Sequence, residues 1–168
     1  LKYLTDRGLS RETIDYFKVG FAPESSKYLL NTIKSEVYER QVLEKCGLFG
    51  ASKNEFFDRF RSRIMFPIWN ASAKIVGFGG RVFASDDPAK YMNSPETPIY
   101  KKSDIFYGLH QARESIRKEG FVILVEGYTD VIQLFQNGIK NCVAVSGTAF
   151  SDRHVTQLNK FSSKVLLA

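Results

Sequence analysis

The stretch that most constrains this chain is FVILVEGYTD, residues 121–130. Five apolar residues, Phe121 to Val125, run directly into Glu126 and Gly127, and a helical apolar pattern of Val131, Ile132, Leu134 and Phe135 follows. A short run with no polar face is the signature of a strand buried on both sides of a parallel sheet. Glu126 then stands at the strand's carboxyl end, the edge where open α/β sheets bind ligands. The pattern continues as strand 121–125, helix 129–136, strand 141–146, a helix over 152–161 capped by Ser151, and a strand from Lys164. This β-α-β-α-β order predicts a parallel sheet with right-handed crossovers.

The first two thirds have a different grammar. Helices are expected after Ser10, over 28–34 and over 37–46, with Gly20 and Gly47 beyond the ends of the first and third. Strands are expected at 55–58, 63–69 and 74–83 with a turn at 70–73. Pro67 cannot donate to a ladder and argues for an edge or a bulge. Gly77, Gly79 and Gly80 imply close approach of either a packing neighbour or a ligand. Residues 84–103 read as a long ordered connection anchored by Tyr91, Met92 and Ile99, and 104–118 as an amphipathic helix capped by Ser103 or Asp104. The fold expected is an α+β N-terminal subdomain, 1–118, followed by a truncated α/β segment, 119–168.

The net charge of +6 is localised. Basic and acidic residues number 9 and 9 over 1–58, 11 and 5 over 59–118, and 4 and 4 over 119–168. A basic block between two neutral ones fits either a surface for a polyanion or an ordinary solvated face. Arg59, Arg61 and Arg63 alternate, so on a strand all three would share one face. Cys46 and Cys142 lack metal or disulfide spacing and read as buried thiols of a reducing compartment. With no long apolar run and no signal-peptide pattern, the chain is expected to be soluble and cytoplasmic.

Glu126 is open to three readings: general acid or base, ligand for Mg²⁺, or a carboxylate capping a helix. Gly127 beside it leaves room for phosphate or metal, and Asp130 lies four residues on. Ser146-Gly147-Thr148 could cradle a phosphate or simply form a tight turn. His154 reads as a surface residue and His110 as a packing residue.

Several long motifs in order, DRFRSRIMFPIWN, IVGFGGRVF, AKYMNSPETPIYKKSDIFYGL and VEGYTDVI, closely resemble the catalytic core of bacterial DnaG-type DNA primases, and the opening YLTDRGLSRETIDYFKVGFAP is similar to the start of that core. The resemblance covers essentially all 168 residues. It implies a basic N-terminal subdomain and the beginning of a Toprim domain, in an enzyme that synthesises short RNA primers on single-stranded DNA from ribonucleoside triphosphates. It assigns Glu126 to catalysis and metal binding with Mg²⁺ or Mn²⁺, and Arg7, Arg59, Arg61, Arg81, Lys90, Asn93 and Lys102 to template and nucleotide binding. Thr129 replaces the Met often found beside the family's Glu.

The family's zinc-holding N-terminal ribbon, its helicase-binding C-terminal domain and an Asp-x-Asp expected just after Ala168 are outside this sequence. The resemblance therefore implies a monomeric piece of a longer protein, inactive on its own, with the replicative helicase as a partner of the whole. The alternatives are a non-catalytic module for single-stranded DNA and nucleotides, or a Toprim nuclease or topoisomerase subunit, against which the KYMNSPET loop argues.

Overall fold

A computed structural model describes residues 2–52, 55–83, 87–147 and 150–168. Helices α1 (Lys2–Thr5) and α2 (Arg11–Tyr16) lead into β1 (Gly20–Ala22). Ser10 caps α2 as expected, its Oγ accepting from the Thr13 N–H at 3.1 Å. The left-handed residue after that helix is Lys18, and Gly20 already belongs to the strand. A small lobe follows: α3 (Tyr28–Thr32), α4 (Arg40–Lys45) and the hairpin β2 (Phe49–Ser52) and β3 (Glu55–Asp58). Leu30, Leu43 and Phe49 form its own core, and Asp58 joins hairpin to helix by accepting from the Leu29 and Leu30 N–H groups.

The first sheet is antiparallel, in the order β1, β4 (Arg63–Trp69), β5 (Ile75–Val82), β6 (Tyr91–Asn93). Pro67 is tolerated inside a central strand because β1 pairs only with Arg63–Met65 and ends before reaching it, and a register shift follows at Ile68 and Trp69. The glycine run of β5 answers to packing. A Cβ on Gly77 would lie 3.1 Å from the Tyr100 ring, one on Gly80 would lie 2.9 Å from Phe60, and one on Gly79 would enter the Tyr128 ring.

The second sheet runs β10 (Val165–Leu167), β8 (Val122–Val125), β9 (Cys142–Val145), β7 (Phe106–Tyr107). β10, β8 and β9 are parallel, joined through α6 (Tyr128–Gln136) and α7 (Asp152–Leu158), while β7 adds an antiparallel edge. This is the expected α/β pattern with one strand more. β7 also corrects the expected helix over 104–118: α5 spans Leu109–Glu119 and starts from Gly108 at φ 81°, not from Ser103 or Asp104. Leu109, Ala112 and Ile116 do form its buried stripe.

One core joins the two sheets. Ile14, Phe17, Ile64, Phe66 and Ile68 pack with Tyr107, Val125, Val131, Ile132 and Ala144, each large buried side chain contributing about 1.5–3 kcal/mol. α5 and α7 cover the far face, Leu109, Ile116 and Leu158 packing with Val122 and Val143 of the strands. β7 and the residues of α5 before 119 therefore pair and pack with the second sheet. Among the described residues, no helix is long and apolar enough to cross a membrane.

Candidate active site and nucleic-acid interface

Beyond the carboxyl ends of β8 and β9 stand Glu126 and Ser146, with β8 between β9 and β10. Glu126 is exposed and, among the described residues, has no hydrogen-bond or ion-pair partner. It shares a cleft with Asp130, Gln133, Leu134, Asn137 and Ala168. Asp130 spends one oxygen on the Gly127 N–H, 3.0 Å away, which anchors the first turn of α6 and leaves its other oxygen for the cleft. The capping role weighed for Glu126 thus falls to Asp130.

Asp130 and Gln133 also line a second cleft, with Tyr3, Arg7, Ile64, Phe66, Arg81 and Thr129. Three elements converge there. The α1–α2 turn delivers Arg7 and is fastened to α6 by Gln136, whose Nε2 donates to Gly8 O at 2.8 Å and whose Oε1 accepts from the Ser10 N–H at 2.7 Å. β5 delivers Arg81, opposite Ile64 of β4. The Tyr3 ring carries both guanidinium groups, Arg7 at 4.8 Å and Arg81 at 5.7 Å from its centroid. Neither arginine has an ion pair among the described residues.

Asn93 ties the first sheet to the carboxyl ends of the second. Its Nδ2 donates to Ser146 O at 3.0 Å and its Oδ1 accepts from the Tyr128 hydroxyl at 3.0 Å. Gly79 makes room for the Tyr128 ring, and Gly147, at φ 69°, makes room for the amide. Burial raises the Tyr100 phenol to about 12, and it raises Tyr107 and Tyr128 well above the ordinary tyrosine range. All three are neutral hydroxyls behind the site at any physiological pH. Ser146 is fully buried and points to this tyrosine cluster, which favours the tight-turn reading of Ser146-Gly147; Thr148 lies outside the described residues.

The remaining basic residues are distributed differently. Lys90 is exposed, opposite Val82 and next to the Arg81–Tyr91 pair. Arg59 and Arg61 sit in the turn between β3 and β4, half-buried and exposed respectively, and line neither cleft. Lys102 is half-buried in a short 3-10 turn, its N–H bonded to Glu96 and its carbonyl to His154 Nε2.

The expected single face for Arg59, Arg61 and Arg63 does not form. Ser62, at φ 48°, breaks the alternation just before β4 starts, and Arg63 turns inward to 1% exposure, paired with Asp87 and donating to Ala89 O. The Ala89 N–H, and secondarily Arg63, hold the Asp87 carboxyl below its usual range.

Three further expectations are corrected. Tyr91 and Ile99 are 60% and 65% exposed, Met92 is half-buried, and the fully buried residues among those described in the connection are Tyr100 and Ser94. His154 is fully buried, its Nδ1 accepting from the Ser151 N–H and its Nε2 donating to Lys102 O. Cys46 is only half-buried, whereas Cys142 is buried and its thiol is pushed up to about 11. The reading from sequence also missed Tyr3 and Tyr128. Tyr3 stands four residues before Arg7, a helical spacing that hinted at their contact; nothing in the sequence signalled the bond from Tyr128 to Asn93.

A family model for the N-terminal domain of the DNA primase catalytic core matches residues 1–113, and a Toprim domain model matches 120–168. The chain is 42% identical over 169 aligned positions to the DNA primase of Staphylococcus aureus strain COL, covering 99% of this chain and 28% of that protein. Among solved structures, a DnaG primase catalytic domain bound to ssDNA aligns with TM-score 0.90 at 39% identity, over 99% of this chain and 52% of that one. The RNA polymerase domain of Mycobacterium tuberculosis primase DnaG aligns with TM-score 0.91 at 34% identity, over 99% and 57%. The chain thus spans about a quarter of the length of the curated relatives it matches.

Proposed function

The chain belongs to the family of DNA primase catalytic cores, and on that premise we propose that it supplies the basic wall and part of the acidic site of a nucleotidyltransferase that copies single-stranded DNA into short RNA primers. The observation that carries this reading is the meeting of two clefts across Asp130 and Gln133, one lined by Glu126 and the other by Arg7 and Arg81. A phosphate held by the guanidinium groups would lie beside a carboxylate that has no protein partner among the described residues. Arg7, Arg81 and Lys90 neutralise phosphates of template or incoming ribonucleoside triphosphate, and Arg59, Arg61 and Lys102 extend the basic surface away from the clefts. Asn93 positions the site, since both ends of its amide are engaged by Ser146 and Tyr128.

Among the described residues no three His, Cys, Asp or Glu side chains converge to hold a metal. Glu126 and the second oxygen of Asp130 nevertheless fit Mg²⁺ or Mn²⁺ of the kind that binds one or two carboxylates and completes its shell with waters and substrate phosphates. When bound there, the ion supplies charge neutralisation for the triphosphate and activation of the attacking hydroxyl. The replicative helicase and a monomeric state are the further expectations of family membership.

The thin carboxylate set also supports a second reading, a binding module without transfer chemistry. Binding of a ribonucleoside triphosphate with and without millimolar Mn²⁺ separates the two. The first reading expects Mn²⁺ to tighten binding to the wild type and to have little effect on Glu126→Gln. Equal response of both proteins to Mn²⁺, or none in either, leaves the module.

A further inference from the structure

Tyr91 is the most exposed aromatic side chain among the described residues, at 60%. A lone exposed ring is ordinary on a protein surface; its setting is what distinguishes this one. Arg81 lies directly across the β5–β6 pair, with its guanidinium 5.6 Å from the Tyr91 ring centroid. The same guanidinium also approaches the Tyr3 ring, which carries Arg7. The order along the surface is therefore Arg7, Tyr3, Arg81, Tyr91, with Lys90 next in the chain. Tyr3 is half-buried and packs edge-on against Phe83 at 5.4 Å, so it is committed to the protein. Tyr91 has no ring–ring contact among the described residues and lies on the edge strand of its sheet.

We propose that Tyr91 is a stacking platform for one base of a single nucleic-acid strand whose neighbouring phosphates are held by Arg81 and Arg7. The proposal rests on the nucleic-acid reading above and adds to it a residue that grips the base, where the arginines grip the backbone. Alternating cations and an open ring suit a chain in which phosphates alternate with flat bases. Stacking of this kind tolerates any base because every base offers a π-face. The Arg81 cation over the ring adds to the attraction.

The test compares an oligo(dT) strand with an abasic strand of equal length, across a salt series, for the wild type, Tyr91→Leu, Tyr91→Phe and Arg81→Ala. Unchanged circular dichroism and thermal midpoint serve as the folding control. The expected result is that Tyr91→Leu weakens oligo(dT) binding about tenfold while Tyr91→Phe stays within about twofold. Tyr91→Leu leaves abasic binding and both salt slopes unchanged, whereas Arg81→Ala lowers the slope by about one on both strands. Equal weakening of both strands, or a lowered slope, by Tyr91→Leu would show that the ring only positions Arg81, and no effect on oligo(dT) would overturn the proposal outright. Salt-insensitive or absent binding by the wild type would instead overturn the nucleic-acid reading on which it rests.

Discussion

Replacing Asn93 by alanine removes the bonds that hold β6 against the strand ends of the second sheet. The amide donates to Ser146 O and accepts from the Tyr128 hydroxyl, both at 3.0 Å. Truncation leaves a carbonyl and a phenol facing a space lined by Gly79 and Gly147. Each buried partner stranded in this way costs about 1–3 kcal/mol, so the pair predicts a loss of about 3 kcal/mol. For a chain of this size that corresponds to a fall in thermal midpoint of about 6–12 °C. Urea denaturation followed by circular dichroism measures it, with an unchanged slope showing that the denatured state is not the cause. Asn93→Asp provides the internal comparison: it keeps the acceptor for Tyr128 but sets a carboxylate oxygen against Ser146 O, and is expected to lose stability too. A loss below about 1 kcal/mol for Asn93→Ala, the range of a solvated polar side chain, would refute the claim that this amide joins the two sheets.

Gly79→Ala places a methyl in the Tyr128 ring, so the ring must leave Asn93; a destabilisation of about 1–3 kcal/mol is expected, read by the same denaturation assay. Asp58→Ala strips the acceptor from the Leu29 and Leu30 N–H groups and is expected to cost about 3 kcal/mol, again by urea denaturation, without changing affinity for DNA. Three of the eight tyrosines are shifted upward by burial, Tyr100 to about 12 from 10.0. A folded-state value above the unfolded one means that stability is complete below about pH 10 and falls as pH rises toward 12. Absorbance titration at alkaline pH should therefore show these three ionising late and together with unfolding.

The strand 122–125 and the carboxylate after it could be read directly because an unbroken apolar run has few alternatives. The stripe Leu109, Ala112, Ile116 was equally plain, yet the start of α5 was not. Ser103 and Asp104 mimic a cap, and only the pairing of Phe106 and Tyr107 with Val145 and Ala144, a contact distant in sequence, turns them into a strand instead. Arg63 shows the same limit. Alternation put it on a face with Arg59 and Arg61, but one left-handed residue at Ser62 sends it into the interior to meet Asp87. In the connection before α5, Tyr91 and Tyr100 are both aromatic residues in a polar stretch. Nothing local tells which is buried, because Gly77, far back in the chain, is what makes room for Tyr100. His154 sits on a polar helix, and its burial follows from the bonds that its ring makes with Ser151 and with Lys102, a residue distant in sequence.

The most direct test of the central claim, that Arg7 and Arg81 form with Lys90 a phosphate-binding wall beside Glu126, is the salt dependence of single-stranded DNA binding by this chain and its Arg7→Ala, Arg81→Ala and Lys90→Ala variants. The account predicts a steep negative slope of log affinity against log salt that each substitution lowers by about one, with preference for single strand over duplex. Slopes that ignore all three substitutions would contradict it and place the phosphate-binding surface elsewhere on the molecule.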